Sequence, residues 1–292
     1  MTQTEPIYEI YEVAALTGLA PARLRAWERR YAVVRPARQA NRYRAYNARQ
    51  VALLRAYARL IQAGSRIGDL VSQPIESVLA QADARDQDGT PVGAFLAAVE
   101  RLDRGAMYRI LETEARSHGL VHLCDQVIQP LGQVVGDRWA LGLLPIALEH
   151  LASETVVSFL KHALTMVVAA DQPVLLANCL AGERHEWGVL RSLAHAQAAG
   201  WRLNYLGPDL PLGETIEAAW RLKPSLVALS ASDPHLVQRQ LRELLQLPKR
   251  LPAGVAVMFG GRGFVPHAEP LKSIGLLHGS DQFPTPAALR AR

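Results

Sequence analysis

The run Val174-Leu175-Leu176-Ala177-Asn178-Cys179-Leu180 is apolar but for one asparagine, and it gives way to Ala181-Gly182-Glu183-Arg184-His185-Glu186-Trp187-Gly188. A strand ends there, a loop carries a single histidine at its tip, and a helix begins. In an open α/β sheet the carboxyl ends of the strands are where ligands sit, because the loops there have no ladder to maintain. An imidazole at that point, next to Glu183 and followed by the small Gly188, can meet the metal of a flat cofactor from below. Outward from this stretch the pattern repeats. Residues 203–206 form a second strand ending at Gly207-Pro208-Asp209, residues 225–229 a third ending at Ser230-Ala231-Ser232, and residues 255–259 a fourth ending at Gly260-Gly261. Helical patterns fill residues 186–199, 212–222 and 235–247 between them. Short apolar strands alternating with amphipathic helices predict a doubly wound parallel sheet, a Rossmann-like α/β domain over residues 171–292.

The chain's 292 residues leave room for two or three domains. No run of roughly eighteen apolar residues occurs, and residues 1–6 are too short and polar for a signal peptide; the expectation is a soluble, cytoplasmic protein with no membrane partner. Cys124 and Cys179 are the only cysteines, which excludes a disulfide framework and predicts buried thiols. Charge is unevenly placed. Residues 1–80 hold twelve arginines, no lysine and six acidic side chains, a net +6 against −1 for the remainder. A basic module joined to a near-neutral one is the footprint of phosphate binding at one end of the chain.

That basic end begins Ile7-Tyr8-Glu9-Ile10-Tyr11-Glu12-Val13-Ala14-Ala15-Leu16-Thr17-Gly18, which predicts a short helix with Val13 and Leu16 inward and a turn at Gly18. Pro21 suits the first turn of a second helix, where its missing N–H is not needed. That helix, residues 22–30, buries Leu24 and Trp27 and turns Arg23, Arg25, Arg29 and Arg30 to other faces. Helix, turn and basic helix predict a helix-turn-helix whose second helix enters the major groove of double-stranded DNA. Residues 38–46 form a basic, aromatic wing, and Asn47 caps a third helix that runs to Gly64. The expected DNA contacts are Arg25, Arg29 and Arg44, with Arg30, Arg42 and Tyr43 beside them. The module spans residues 1–78. Residues 73–91, with Pro74, Asp83, Asp86, Gly89, Thr90 and Pro91, read as a linker. Helical patterns at residues 92–102, 103–117, 120–139 and 145–168 then predict a four-helix bundle over residues 88–170.

Three motifs resemble known families. Leu24-Arg25-Ala26-Trp27-Glu28-Arg29-Arg30-Tyr31 with Arg44-x-Tyr46 resembles the MerR family of regulators, although the usual Gly-Gly-His-Arg wing is Asn41-Arg42-Tyr43-Arg44 here. Glu183-x-His185-x-x-Gly188 resembles the cobalamin-binding signature. By that resemblance His185 is the lower ligand of cobalt, and Ser230, Gly260 and Gly261 at the strand ends make room for the cofactor's nucleotide tail. Trp139, nine residues and then Glu149-His150 resemble the Trp-x9-Glu-His motif of light-responsive, cobalamin-dependent repressors of the CarH/LitR type. In those proteins the tryptophan and glutamate cover the upper face of the corrin, where a 5′-deoxyadenosyl group sits. The same resemblance makes Arg184 and Asp209 contacts between protomers of a dimer or tetramer. Well-understood members also carry a histidine close to the tryptophan motif that takes the vacated cobalt position after photolysis. This chain has Ala140 directly after the tryptophan, and His150 is the nearest histidine in sequence.

The resemblance therefore implies a transcriptional regulator, not an enzyme, that binds adenosylcobalamin and an operator and responds to light through a change of oligomeric state. Two rivals remain at this stage. One is a regulator of the same architecture that binds no cobalamin, a reading favoured by Ala140 and opposed by His185. The other is a corrinoid carrier for methyl transfer, which would lack the basic head and have aspartate in place of Glu183.

Overall fold

Two compact units make up the chain, Met1–Ile110 with Val127–Ala152 and Leu111–Gln126 with Ser153–Arg292. The computed structural model describes residues 7–38, 43–87, 89–165, 172–273, 277–278 and 283–290.

The first unit opens with β1 (Ile7–Tyr8), α1 (Ile10–Thr17) and α2 (Pro21–Tyr31), followed by β2 (Ala37–Arg38), β3 (Arg44–Asn47) and α3 (Ala48–Gln62). Local chemistry sets each boundary. Glu9 and Glu12 form a capping box at the start of α1, and Gly18 ends it in the left-handed region at φ +68°. Pro21 occupies the first turn of α2, and Asn47 and Gln50 exchange side-chain and backbone hydrogen bonds at the start of α3. The wing is a β-hairpin, β2 antiparallel to β3 with Ala37 opposite Ala45, and β1 pairs on the far side of β3. Its tip, with Asn41 and Arg42, lies outside the described residues.

Val13, Leu24, Trp27, Tyr46, Leu54 and Leu60 form the core of this unit. Leu16 is not part of it. It is 37 % exposed, and Thr17 points inward instead, donating its hydroxyl to the Val13 carbonyl at 2.7 Å. In a helix of two turns the i+4 position sits closer to the Val13 face than i+3 does, and the back-bonded hydroxyl lets a threonine occupy it.

After α4 (Ile67–Val71) the chain departs from the expected linker. Residues 75–87 form α5 (Ile75–Gln87), which packs on α3 and on α6 (Pro91–Glu100). Val78, Leu79 and Ala82 are buried there in the same core. Pro74 and Thr90-Pro91, read as breakers, are helix starts: Ser77 N–H donates to the Pro74 carbonyl, and Thr90 Oγ1 accepts from Gly93 N–H at 3.0 Å. Next come α7 (Arg104–His118), α8 (Leu120–His122), a π-helical segment (Leu123–Ile128), α9 (Gln129–Ala140) and α10 (Ile146–Thr165). The π turn stands just before Pro130, whose ring removes one α-helical hydrogen bond, so the expected single helix over 120–139 is interrupted.

The second unit is built on the parallel sheet. It comprises β4 (Val174–Cys179), α11 (Trp187–Ala198), β5 (Arg202–Tyr205), α12 (Leu212–Leu222), β6 (Leu226–Ser230), α13 (Pro234–Arg250) and β7 (Ala256–Gly260). A 3-10 turn (Arg262–His267), α14 (Ala268–Lys272), β8 (Leu277–His278) and α15 (Pro286–Arg290) complete it. The sheet order is β5-β4-β6-β7-β8, with every pair parallel. The four expected strands are present, and β8 adds a short fifth at the edge. The order reverses between β4 and β6, and such a switch point opens a crevice at the carboxyl ends of the two strands. Leu176, Val227, Leu229, Val257, Phe259 and Phe264 fill the core of this unit.

Candidate functional site

The loops after β4 and β6 meet at the switch point. Glu183, from the first loop, is 1 % exposed and is bound on both carboxylate oxygens. Its Oε1 accepts from the backbone N–H of His185 at 2.8 Å and lies 2.7 Å from His185 Nδ1. Its Oε2 accepts from the backbone N–H and the hydroxyl of Ser232, both at 2.5 Å. Burial pushes the Glu183 carboxyl up, but these donors outweigh it and hold the group at about 2, well below the usual carboxylate range. An ionised carboxylate beside Nδ1 fixes the ring's tautomer and orientation, which makes the other ring nitrogen, Nε2, the one that could hold a metal. The His185 side chain is 76 % exposed, so its ring is open to solvent.

Behind this cluster lies a second polar layer. Lys161 of α10 holds Glu186 at 2.7 Å, Glu186 accepts from the Tyr205 hydroxyl at 2.8 Å, and that hydroxyl lies 3.7 Å from Cys179 Sγ. Burial pushes the Cys179 thiol up to about 12, so it remains neutral. Asp209, at φ +56°, accepts from Gly182 N–H at 2.6 Å and donates its own N–H to the Glu183 carbonyl at 2.9 Å. Arg184 Nε stands 3.9 Å from Asp209 Oδ2, so the two residues expected at a protomer contact form a loose pair within one chain.

Among the described residues, nothing lies within 4 Å of a Cβ added at Gly188 or Gly260. Gly261 differs. At φ +91° its added Cβ would run into the Ala231 carbonyl oxygen, so the loops after β6 and β7 require glycine there for their own contact. The indole Nε1 of Trp187, two residues beyond His185, is buried with no hydrogen-bond partner among the described residues. A buried donor in that state costs about 1–3 kcal/mol until a bound group accepts from it. Histidine imidazole is a fitting donor for cobalt, and these features together fit cobalamin.

Ser230 ends β6, and its carbonyl accepts from Leu180 N–H. The serine that reaches Glu183 is Ser232, two residues later. Its contact with Glu183 spans 49 positions, and only the string Ser230-Ala231-Ser232 at a strand end hinted at it.

Trp139, Glu149 and His150 belong to the first unit. Trp139, near the end of α9, is 43 % exposed, and Leu143 and Ile146 between it and Glu149 in sequence are exposed too. Glu149 lies in the first turn of α10 and His150 follows it, with His150 Nδ1 2.5 Å from Glu149 Oε2.

In the head, Arg25 and Arg29 lie one turn apart on an exposed stripe of α2, and Arg30 is exposed on another, with its guanidinium 5.3 Å from the Tyr31 ring centroid. Tyr43 is exposed on the wing. Arg44 is partly buried: its Nε donates to Glu28 Oε2 at 2.7 Å, and the Tyr46 hydroxyl donates to the other oxygen of Glu28. Arg44 thus ties the wing to α2. Sequence reasoning also missed a buried ion pair in this unit. Arg55 of α3 meets Asp137 of α9 at 2.7 Å, and Arg59 stands 3.8 Å from the same carboxylate.

Two family models match the chain: the MerR HTH family regulatory protein over residues 8–71, and the B12 binding domain over residues 93–163. The HTH-type transcriptional repressor CarH of Myxococcus xanthus is 32 % identical over 267 residues, covering 88 % of this chain and 89 % of that protein. The HTH-type transcriptional repressor CarA of the same organism is 31 % identical over 269 residues, covering 91 % and 90 %. Among solved structures, the Methanosarcina barkeri monomethylamine corrinoid protein aligns with 68 % of this chain and 94 % of its own at 17 % identity, with a TM-score of 0.48.

Proposed function

Because the chain belongs to the family of MerR-type transcriptional repressors with a B12-binding domain, we propose that it is a DNA-binding regulator set by adenosylcobalamin and light. At the coarser level it is a cobalamin-binding regulator of transcription and not an enzyme. Among the described residues no helix is long and apolar enough to cross a membrane. One observation carries the reading: a buried, ionised Glu183 orients His185 at the switch point of a parallel sheet, in the same chain as an arginine-rich helix-turn-helix.

The reading divides the chain into a winged helix-turn-helix (residues 1–78), a helical cap (88–170) and an α/β domain (171–292). Arg25, Arg29 and Arg30 of α2, with Arg42 and Tyr43 of the wing, engage the operator, and Arg44 sets the wing's position. His185 would hold cobalt through Nε2, with Glu183 as its orienting partner, and by the resemblance Trp139, Glu149 and His150 would meet the adenosyl group. Bound adenosylcobalamin supplies a light-labile cobalt–carbon bond. Trp139 and Glu149 would hold the adenosyl group in the dark. Arg184 and Asp209 exchange their pairing within one chain for pairing between protomers in the dark oligomer. Loss of the oligomer lowers DNA affinity, because several heads no longer bind one operator together.

The test is a visible absorption spectrum of the protein incubated with adenosylcobalamin in the dark and then illuminated, beside His185→Ala. The wild type should show the spectrum of cobalamin with its own base displaced and change it on illumination. The variant should bind at least roughly tenfold more weakly, a loss of about 1.4 kcal/mol. Equal affinity and an unchanged spectrum would remove His185 from the site.

A further inference from the structure

The second unit holds a group of metal-ligating side chains apart from the cluster at His185. α7 ends at His118, and Gly119 breaks the helix at φ +90°, ψ 162°. That region of backbone space is open essentially to glycine alone. α8 then restarts and ends at His122. The kink leaves the His118 and His122 rings 4.7 Å apart between centroids, tilted by 31°. Glu114, one turn before His118, places Oε2 3.2 Å from His118 Nδ1. One donor atom from each of Glu114, His118 and His122 lies within 4.8 Å of the others, with Glu114 half-buried and both histidines exposed.

We propose that Glu114, His118 and His122 form a binding site for a divalent transition-metal ion, with Zn2+ as its simplest occupant. Two imidazoles and one carboxylate are the donor set that zinc takes, and hard cations such as Mg2+ prefer oxygen alone. Bonds of about 2.0–2.2 Å in a tetrahedron put donors about 3.3 Å apart. Side-chain rotations at an exposed helix end close the gap from 4.8 Å, and water fills the remaining position. The ion fastens the end of α7 to α8 across the Gly119 break. α8 runs directly into the π segment, where Asp125 holds His195 of α11 at 2.9 Å and Arg191 at 3.6 Å. The metal therefore secures the corner from which α11 is gripped, and it does so without any part of the cobalamin reading.

The experiment titrates the chelator-stripped full-length protein with ZnCl2 by calorimetry, beside His118→Gln, His122→Gln and the double variant. Wild type should bind one more equivalent of Zn2+ than the double variant, and each single variant should lose at least about tenfold in affinity for that equivalent. Zn2+ should raise the unfolding temperature of the wild type and leave that of the double variant at its metal-free value. Because His185 and the other histidines are common to all four proteins, only the difference between them reads this site. Gly119→Ala keeps every ligand but strains the kink, and it should weaken Zn2+ binding as well. Equal stoichiometry and affinity in wild type and double variant would overturn the site, leaving a Glu114–His118 contact beside a pair of tilted rings.

Discussion

Glu183 has two functions that one substitution can separate. Its carboxylate closes the loop after β4 onto Ser232 of the loop after β6, and it also sets the ring of His185. Charge-assisted hydrogen bonds of this kind contribute about 1.5–3 kcal/mol each when one partner is removed. Glu183→Gln keeps the volume but loses the charge and must turn an N–H toward either the His185 pair or the Ser232 pair of partners. It should cost about 2–3 kcal/mol of stability by urea unfolding, and cobalamin affinity should fall with it. Ser232→Ala keeps the Ser232 backbone donor and the Glu183–His185 contact, so its effect should be smaller on both counts. A Glu183→Gln protein as stable as wild type would show that the buried carboxylate is not ionised. Glu183 and His185 were legible as a motif because they are two residues apart. Ser232 was not, since its place at the site depends on β4 and β6 being neighbours.

At the scale of elements, α2 and the wing form one reading head. Arg25 and Arg29 are exposed and one turn apart, and each neutralised phosphate makes affinity fall with salt. Arg25→Ala or Arg29→Ala should weaken operator binding and leave cobalamin uptake unchanged. The dependence of log affinity on log salt should flatten by about one unit for each phosphate that the arginine neutralises in the wild type. A slope identical to wild type would assign that arginine to bases or to nothing. The contact between α3 and α9 rests on Arg55 and Asp137, whose carboxylate is almost fully buried. Removing one partner of a buried pair strands the other charge, so Asp137→Ala should cost about 3–5 kcal/mol. The double change Arg55→Met with Asp137→Leu should recover part of that stability, because an apolar pair of similar volume removes both buried partners and leaves only the part-exposed Arg59 without the carboxylate. If Asp137→Ala is as stable as wild type by urea unfolding, the pair contributes nothing to the joining of α3 and α9. The two positions are 82 residues apart, and a charge pattern along the chain has no means of pairing them.

For the whole molecule, the proposed function makes a prediction about light. Size-exclusion profiles of the adenosylcobalamin-loaded protein should show a larger species in the dark and a smaller one after green light. Because Ala140 has no ligand atom, the illuminated protein should lose its cofactor readily, unless His150 reaches the cobalt. Identical profiles over a demonstrably photolysed cofactor would leave a sensor of cobalamin level rather than of light. Arg184→Glu, which reverses the charge facing Asp209, should shift the dark profile toward the smaller species.

What the sequence determined by itself was periodic or local. Strands β4 to β7, helices α2, α3 and α12, the capping residues at Gly18, Pro21 and Asn47, and the Glu183-x-His185 string all follow from patterns only a few residues long. Where the periodicity was short or crowded with polar residues, local reading failed. Leu16 turned outward because Thr17 could satisfy its own hydroxyl, and residues 75–87 became α5 because Val78, Leu79 and Ala82 found a core to enter. Tertiary structure alone decided which loops meet. The order β5-β4-β6-β7-β8 brings Ser232 to Glu183, and the packing of α3 on α9 brings Arg55 to Asp137. The physical reason is the same in each case. A chain's propensities act within a few residues, whereas a buried charge is stabilised by whichever partner the assembled core delivers, at any distance along the sequence.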